Sequence, residues 1–171
     1  MKINLKELAT FAMLAAIMIT SKLILEFIPN FHLLGVFTIA MTVVYRQKAL
    51  YPIYLYVFLQ GLVTGFNPWW IPYLYIWTVL WAVTMLLPKK MPKGIASVVY
   101  IILCGLHGLA FGTLYAPAQA LLFGLDFKGM IVWIIAGLPF DAVHALHNLI
   151  LGVLIMPIIM VLSHTEKYIK N

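Results

Sequence analysis

The stretch LATFAMLAAIMITSKLILEFI, residues 8–28, is almost wholly apolar and is followed by Pro29. A helix needs roughly 20 apolar residues to cross the hydrocarbon core of a bilayer. This stretch meets that length, and its two charged residues, Lys22 and Glu26, lie near its end. The sequence therefore predicts that residues 8–28 form a first transmembrane helix.

Five further apolar segments follow, and short polar or proline-containing stretches separate them. The predicted spans are residues 8–28, 31–45, 49–66, 70–87, 95–115 and 139–162. The chain is 64% hydrophobic and only 9% charged, whereas a soluble domain carries about 25% charged residues. We therefore expect an all-α integral membrane protein, in which a single membrane domain over residues 1–171 forms a bundle of six transmembrane helices.

Residues 116–138 are mostly apolar but contain Pro117, Asp126 and several glycines. We expect them to form an extracellular loop or a lid over the bundle, and an extension of a helix remains open. Irregular backbone at membrane depth needs cover from protein or a water-filled cavity. The last span is placed from Pro139, because proline is well suited to the first turn of a helix.

Lysine and arginine residues gather between alternate spans. The clusters are Lys2 with Lys6, Arg46 with Lys48, Lys89 and Lys90 with Lys93, and Lys167 with Lys170. The opposite side holds only Lys22 and Lys128. Cytoplasmic loops carry an excess of lysine and arginine, so we expect both termini to be cytoplasmic. The net charge of +6 thus indicates membrane orientation, and we expect no nucleic-acid partner.

Polar residues that are rare in membrane helices recur on the last predicted span. Asp141, His144 and Asn148 are spaced by three and four residues, which places them on one face of a helix, with His147 beside them. Ionisable groups inside a membrane usually face a cavity or a partner, and these groups together can hydrogen-bond a polar organic ligand. The pattern predicts a ligand site that also includes His107 of the fifth span. A structural network between helices is the alternative.

A metal site is not expected from these residues. Asp141, His144 and His107 are potential zinc ligands, but their spacing matches no firm metal motif such as HExxH. We also expect no bound cofactor and no catalytic residue.

Aromatic residues form a second constellation before and along the fourth span. Trp69 and Trp70 precede it, and Tyr73 and Trp77 continue along it. An interfacial belt of aromatic side chains is one interpretation. A flat aromatic wall that stacks against a ring-containing ligand is the other. We include all four residues in the predicted substrate site.

Small residues give the first span a distinct face. Ala12 and Ala16 are four residues apart, and small residues at this spacing let helices approach closely in lipid. The pattern is typical of a helix contact, which can lie within the chain or with a partner.

Taken together, these features resemble the substrate-binding S components of energy-coupling factor (ECF) vitamin transporters. The resemblance covers essentially the whole chain and includes its size, six predicted spans, predicted cytoplasmic termini and the AxxxA motif from Ala12 to Ala16. It implies that Ala12 and Ala16 dock a coupling transmembrane subunit. That subunit and two ATPase subunits would complete an importer in the prokaryotic cytoplasmic membrane.

The resemblance also implies a site near the outer surface, built from the extracellular loops and helices 4 to 6. The stretches HGLA, residues 107–110, and GLPFDA, residues 137–142, stand where some members place ligand contacts. It therefore implies ligand contacts by His107 and Asp141, to which we add Trp77 and His144. The expected ligand is a ring-bearing vitamin or precursor, and cobalamin, pyrimidine and pyridoxine-type compounds remain open. The family's transport cycle implies that the whole chain topples in the membrane to release the ligand.

The chain contains no GxxxxGK[ST] phosphate-binding loop, so we expect partner subunits to hydrolyse ATP. Two other functions remain open. One is a small intramembrane enzyme that uses Asp141 and a histidine as acid and base. The other is a stand-alone secondary transporter or channel, although the inverted repeats common in such proteins are not evident in the sequence.

Overall fold

The computed structural model describes residues 3–170, and these residues form helices without any strand. The α-helices are α1 Leu5–Leu25, α2 Leu34–Tyr45, α3 Leu50–Thr64, α4 Tyr73–Leu86, α5 Lys93–Leu109, α6 Phe111–Phe123, α7 Phe127–Leu151 and α8 Ile155–Lys170. Short 3-10 turns, Arg46–Ala49 and Gly152–Leu154, join α2 to α3 and α7 to α8. The prediction of an all-α protein is confirmed.

Three helical runs within the described part are long and apolar enough to cross a membrane. They are Leu5–Leu25, Lys93–Phe123 and Phe127–Ile169, and Tyr73–Leu86 is a shorter apolar helix. α2, the 3-10 turn and α3 follow one another without an intervening loop, so residues 3–170 contain five uninterrupted helical runs, although Arg46, with a φ of 54°, breaks the helical backbone within the second run. The presence of membrane-type helices is confirmed, while six crossings and their orientation stay predictions.

The prediction of a loop or lid at residues 116–138 is wrong, and the alternative of helix extension is what the structure contains. α6 continues to Phe123 and ends at Gly124, whose φ of 67° is the left-handed conformation that glycine adopts readily. Asp126 then caps α7 by accepting a hydrogen bond from Gly129 N at 2.7 Å. Pro139 therefore lies inside α7 rather than at its start. Membrane helices tolerate interior proline because their surroundings satisfy the freed backbone groups.

Contacts between helix termini define a basic end of the molecule. Lys6 Nζ lies 5.2 Å from the centre of the Tyr168 ring, so the two described ends of the chain meet there. Lys48, in the turn between α2 and α3, pairs with Glu7 of α1 at 2.5 Å. The guanidinium of Arg46 donates to Met85 O near the end of α4, at 3.0 Å. Lys2, part of the predicted N-terminal cluster, lies outside the described residues.

The opposite end, which we call the site end, gathers residues 26–33, the beginning of α4, and the α6–α7 hairpin. Asn30 donates to Phe140 O at 3.3 Å, and His147 Nδ1 lies 3.4 Å from Asn30 O. α2 therefore runs from the site end to the basic end, and α3 returns.

The core of the bundle is built around α2, of which ten of twelve residues are buried. α2 packs against α4, α5 and α8. α1 packs on α3 through Phe11, Leu14 and Met18, and its other face is open. That open face includes Ala12 and Ala16, both exposed.

Candidate functional site

The junction of α5 and α6 forms one wall of the site. α5 ends at Leu109, and the backbone N–H of Gly112 in the first turn of α6 donates to both carboxylate oxygens of Asp141, at 3.0 and 3.1 Å. A Cβ at position 112 would lie 3.0 Å from Asp141 Oδ1 and closer still to Oδ2, so a larger residue there would displace this carboxylate. This contact joins α6 to α7. It also engages both oxygens of Asp141 in a hydrogen bond between helices, as in the structural network that the sequence left open as the alternative to a ligand site.

The Trp77 indole lies at the centre of an aromatic cluster and is only 1% exposed. Its closest ring neighbour is His107, whose centroid lies 5.5 Å away. Four other rings lie within 6.4 Å, namely those of Phe111, His32, Tyr73 and Tyr56. Residues from five separate segments thus surround one indole, and Tyr73 and Trp77 share a wall as the sequence predicts.

Three imidazoles border this cluster. His32 and His144 meet edge to face with ring centroids 4.8 Å apart, and His144 meets Phe111 in the same way at 4.9 Å. His107 Nε2 lies 3.3 Å from Ile76 O. The centroid of the Phe111 ring lies 6.1 Å from that of His107 and 4.9 Å from that of His144. Phe111 therefore connects the two histidines that the sequence predicts to share one site.

Asn148 lies one helical turn beyond His144, where α5 and α7 approach most closely. Its Nδ2 donates to Cys104 O at 3.0 Å. A Cβ added to Gly108 would lie 2.8 Å from this Nδ2 and 3.0 Å from the backbone of Ala145. Glycine at 108 therefore lets the helices pack closely and holds the Asn148 amide in one orientation, with Oδ1 turned away from Cys104.

Five side chains of this region carry a buried polar atom that has no hydrogen-bond partner among the described residues. These atoms are His32 Nδ1, Trp77 Nε1, His107 Nδ1, His144 Nε2 and Asn148 Oδ1. A buried polar atom without a partner costs about 1–3 kcal/mol, and such atoms are few in native structures. Five of the nine such atoms found among the described residues belong to this region.

Two neighbouring cavities adjoin this cluster, and of the five side chains His32 and His144 line them, whereas Trp77, His107 and Asn148 do not. One, of about 340 Å³, is lined by Trp69, Tyr73, Tyr115, Trp133 and Asp141, among others. The second, of about 210 Å³, is lined by Lys22, Glu26 and His32 in the segment that joins α1 to α2. Both cavities share the lining residues Asn30, Tyr73, Phe111 and His144.

The two tryptophans before α4 take different places. Trp69 is 55% exposed and lies at the mouth of the larger cavity, where its carbonyl accepts a hydrogen bond from the Tyr115 hydroxyl. Trp70 turns toward α3 instead, and its Nε1 donates to Val57 O at 2.7 Å. It packs against Phe66 with ring centroids 5.0 Å apart. Of the predicted substrate residues, the structure places Trp69, Tyr73, Asp141 and His144 around the larger cavity and Trp77 and His107 behind Tyr73, whereas Asn148 and Trp70 line neither cavity.

Sequence reasoning missed His32, Phe111, Tyr115 and Trp133. Phe111 and Tyr115 follow His107 at intervals of four residues. This spacing predicts that the three side chains share one helical face across the α5–α6 junction. Trp133 fell within the segment expected to be a loop. His32 has no local pattern, since the fold alone brings it to His144.

Within residues 3–170 no group of three or more histidine, cysteine, aspartate or glutamate side chains is arranged to hold a metal ion. The donor set of the site suits an organic ligand better, because its polar atoms are interleaved with aromatic rings.

Comparison with protein-family models found no match, and neither curated proteins nor solved structures matched the chain. The function is therefore inferred from the residues of the site and their surroundings.

Proposed function

We propose that this chain is the substrate-specificity subunit of an ECF-type importer, and that it binds a small ring-bearing vitamin or vitamin precursor from outside the cell. The observation that carries the proposal is the set of five unpartnered buried polar atoms around Trp77 and Phe111. A ligand that satisfies these atoms would remove their cost on binding.

The chemistry of these atoms describes the ligand. Trp77 Nε1 is only a donor and Asn148 Oδ1 is only an acceptor, whereas each histidine nitrogen can take either role. The matching ligand is flat, carries both acceptors and donors on its edges, and stacks against aromatic faces. Pyrimidine and pyridoxine-type rings fit this description. Cobalamin is far larger than cavities of about 340 and 210 Å³, so we favour the single-ring compounds.

The distribution of charge supports an outward-facing site. Arg46, Lys48 and Lys89 lie together at the basic end, while the site end has Lys22 paired with Glu26 at 3.6 Å. The positive-inside rule then places the basic end, with both termini, in the cytoplasm. The chain reverses at Arg46, so α2 and α3 count as two crossings. Together with α1, α4, the α5–α6 pair and the α7–α8 pair, they make the six proposed crossings. The location we propose is the prokaryotic cytoplasmic membrane.

The open face of α1 supports a partner in the membrane. Ala12 and Ala16 are exposed on a helix whose opposite face is packed. Exposed small residues let a partner helix approach closely. We assign this face to the coupling transmembrane subunit, whose two associated ATPases would supply the energy for uptake.

The first experiment identifies the ligand. The chain is purified alone in detergent, copurifying compounds are analysed by mass spectrometry, and the protein is titrated with a panel of vitamins and precursors. We expect one compound to bind at one per chain. Trp77→Phe replaces the indole with a smaller aromatic ring that has no N–H, and it should weaken binding by roughly tenfold because a ligand acceptor loses its donor.

Trp70→Phe is the matched control, since it deletes an indole N–H that donates to Val57 O outside the site. It should leave ligand affinity unchanged. Equal losses in both variants, or no ligand for a well-folded preparation, would contradict the proposed site.

The docking face is tested separately by uptake into cells that supply the partner subunits. Ala16→Leu places a bulky side chain on the open face of α1, and we expect it to reduce uptake several-fold. Ligand affinity of the isolated chain should not change. Ala136→Leu, on an exposed position of α7, serves as the control, and an equal loss of uptake there would contradict docking through α1.

An intramembrane enzyme is the main rival function. Both oxygens of Asp141 accept from Gly112 N, which makes this carboxylate less available for proton transfer. The enzyme requires turnover of the bound compound by the chain alone, and mass spectrometry of the ligand after incubation would detect it.

A further inference from the structure

The basic end contains a cavity of about 470 Å³, larger than either cavity of the site end. It lies between α1, the α2–α3 turn, the end of α4 and α8, and nothing in the proposed vitamin site involves it. Three cations line it: Arg46, Lys48 and Lys89. Two carboxylates, Glu7 and Glu166, also contribute, so the lining carries a positive excess.

Lys48 and Glu7 largely neutralise each other at 2.5 Å, and the second oxygen of Glu7 accepts from Asn4 N at 3.1 Å. The ion pairs between described residues involve neither Arg46 nor Lys89. With Glu166 counted, the lining keeps one net positive charge, which Arg46 and Lys89 supply and with which an incoming anion would interact.

Arg46 is held in place by its own backbone contacts. Its φ of 54° lies in the left-handed region that non-glycine residues seldom adopt. The surrounding structure holds this conformation, because Trp81 Nε1 donates to Arg46 O at 3.1 Å and one guanidinium nitrogen donates to Met85 O. Arg46 also lines a neighbouring cavity of about 180 Å³, and its remaining guanidinium donors suit the oxygens of a carboxylate or a phosphate.

Tyr45 adds an independent observation. Its side chain lines the cavity and is only 8% exposed, yet its hydroxyl has no hydrogen-bond partner among the described residues. The ring is fixed edge to face against Phe11 at 5.2 Å. Arg46, Lys89 and the carboxylate of Glu166 line the same cavity, and this hydroxyl can donate to an acceptor that is bound there.

Two residues of the cavity lining have exposed leucines as their neighbours in the sequence. Leu8, next to Glu7, is 58% exposed, and Leu86, next to Met85, is 85% exposed. Hydrogen-bond donors and cations in a pocket, with apolar side chains at its rim, match the two parts of a phospholipid. Basic pockets on the cytoplasmic side of membrane proteins bind lipid headgroups in this way.

We propose that this cavity binds the phosphate group of an anionic phospholipid from the leaflet that the basic end faces. Arg46 and Lys89 neutralise the phosphate, the Tyr45 hydroxyl donates to it, and the acyl chains lie along the exposed leucines. The site is separate from vitamin binding and does not depend on it.

The test uses the full chain, purified in detergent, with phosphatidylglycerol or phosphatidylcholine of identical acyl chains. Native mass spectrometry should show one retained phosphatidylglycerol per chain and little phosphatidylcholine. Lys89→Gln should weaken phosphatidylglycerol binding about tenfold, because it removes a charge-assisted hydrogen bond. Tyr45→Phe, which hardly alters the volume, should weaken it several-fold.

Lys90→Gln is the matched control, because Lys90 carries the same charge next to Lys89 but does not line the cavity. It should bind like the unmodified chain. Equal losses in Lys89→Gln and Lys90→Gln, or equal retention of both lipids, would overturn the proposal. Inorganic phosphate forms a separate arm: if it binds with the same dependence on Lys89 and Tyr45 and lipid binds no better, the lipid source is overturned in favour of a free anion.

Discussion

α2 and α7 differ in which of their residues are inside the protein. α2 is buried on every side, and ten of its twelve residues, nearly all apolar, are inaccessible. α7 is twice as long, and its buried residues are Asp141, His144 and Asn148. Its apolar residues face outward, with Leu146 and Ile150 both 55% exposed. One helix is buried through its apolar side chains and the other through its polar ones.

The proposed membrane location accounts for this difference. In a bilayer the solvent around the protein is apolar, so an exposed leucine would cost nothing and burial would not need to follow hydrophobicity. Packing alone then stabilises α2. The buried polar side chains of α7, in contrast, cost free energy unless they form hydrogen bonds. We expect substitutions in α2 to change stability and substitutions on the buried face of α7 to change binding.

The largest expected effect is in α2. Ile39 is fully buried, and Ile39→Ala should lower the free energy of unfolding by about 2–4 kcal/mol, because it leaves a cavity in a packed core. Leu146→Ala removes a side chain from the open face of α7 and should change stability by less than about 0.5 kcal/mol. Unfolding of the purified chain in mixed detergent micelles measures both. Similar losses would mean that α7 is packed like α2.

The buried face of α7 was predictable because it is local. Intervals of three and four residues place Asp141, His144 and Asn148 together whatever the rest of the chain does, and all three are buried. The same logic, continued past Ala110, would have found Phe111 and Tyr115. The beginning of α7 was not predictable in this way, since Pro139 is equally compatible with a first turn and with the interior of a membrane helix.

His32 and Trp70 show the limit of local patterns. His32 reaches His144 across more than one hundred residues of chain, so only the packing of the segment after α1 against α7 brings them together. Trp70 is three residues from Tyr73, which suggests a shared face, but it precedes α4 and its indole instead finds an acceptor on α3. In both cases tertiary contacts determine the position, and sequence spacing carries no information about them.

A smaller effect is expected where α5 meets α7. Gly108→Ala adds a Cβ that would lie 2.8 Å from Asn148 Nδ2 and 3.0 Å from the Ala145 backbone. The helices must separate, and we expect a loss of about 1–3 kcal/mol in stability together with weaker ligand binding. Gly94→Ala on the same helix meets no atom within 4 Å and should be neutral or slightly stabilising. Thermal unfolding and ligand titration of the two variants measure these effects, and a neutral Gly108→Ala would contradict the close approach.

The smallest change in stability is expected for His144→Leu. This substitution tests most directly whether the buried face of α7 is a binding face or a packing face. His144 is 3% exposed and its Nε2 lacks a partner. His144→Leu replaces an unsatisfied polar group with an apolar one of similar size, so the free energy of unfolding should stay within about 1 kcal/mol of the original or rise. Ligand affinity should fall roughly tenfold or more, because the ligand then loses a hydrogen bond in a desolvated site. His164→Leu, at an exposed position of α8, should change neither quantity. A purely structural histidine predicts the reverse result, in which His144→Leu loses stability and keeps its affinity, and α7 would then be a second packing helix like α2.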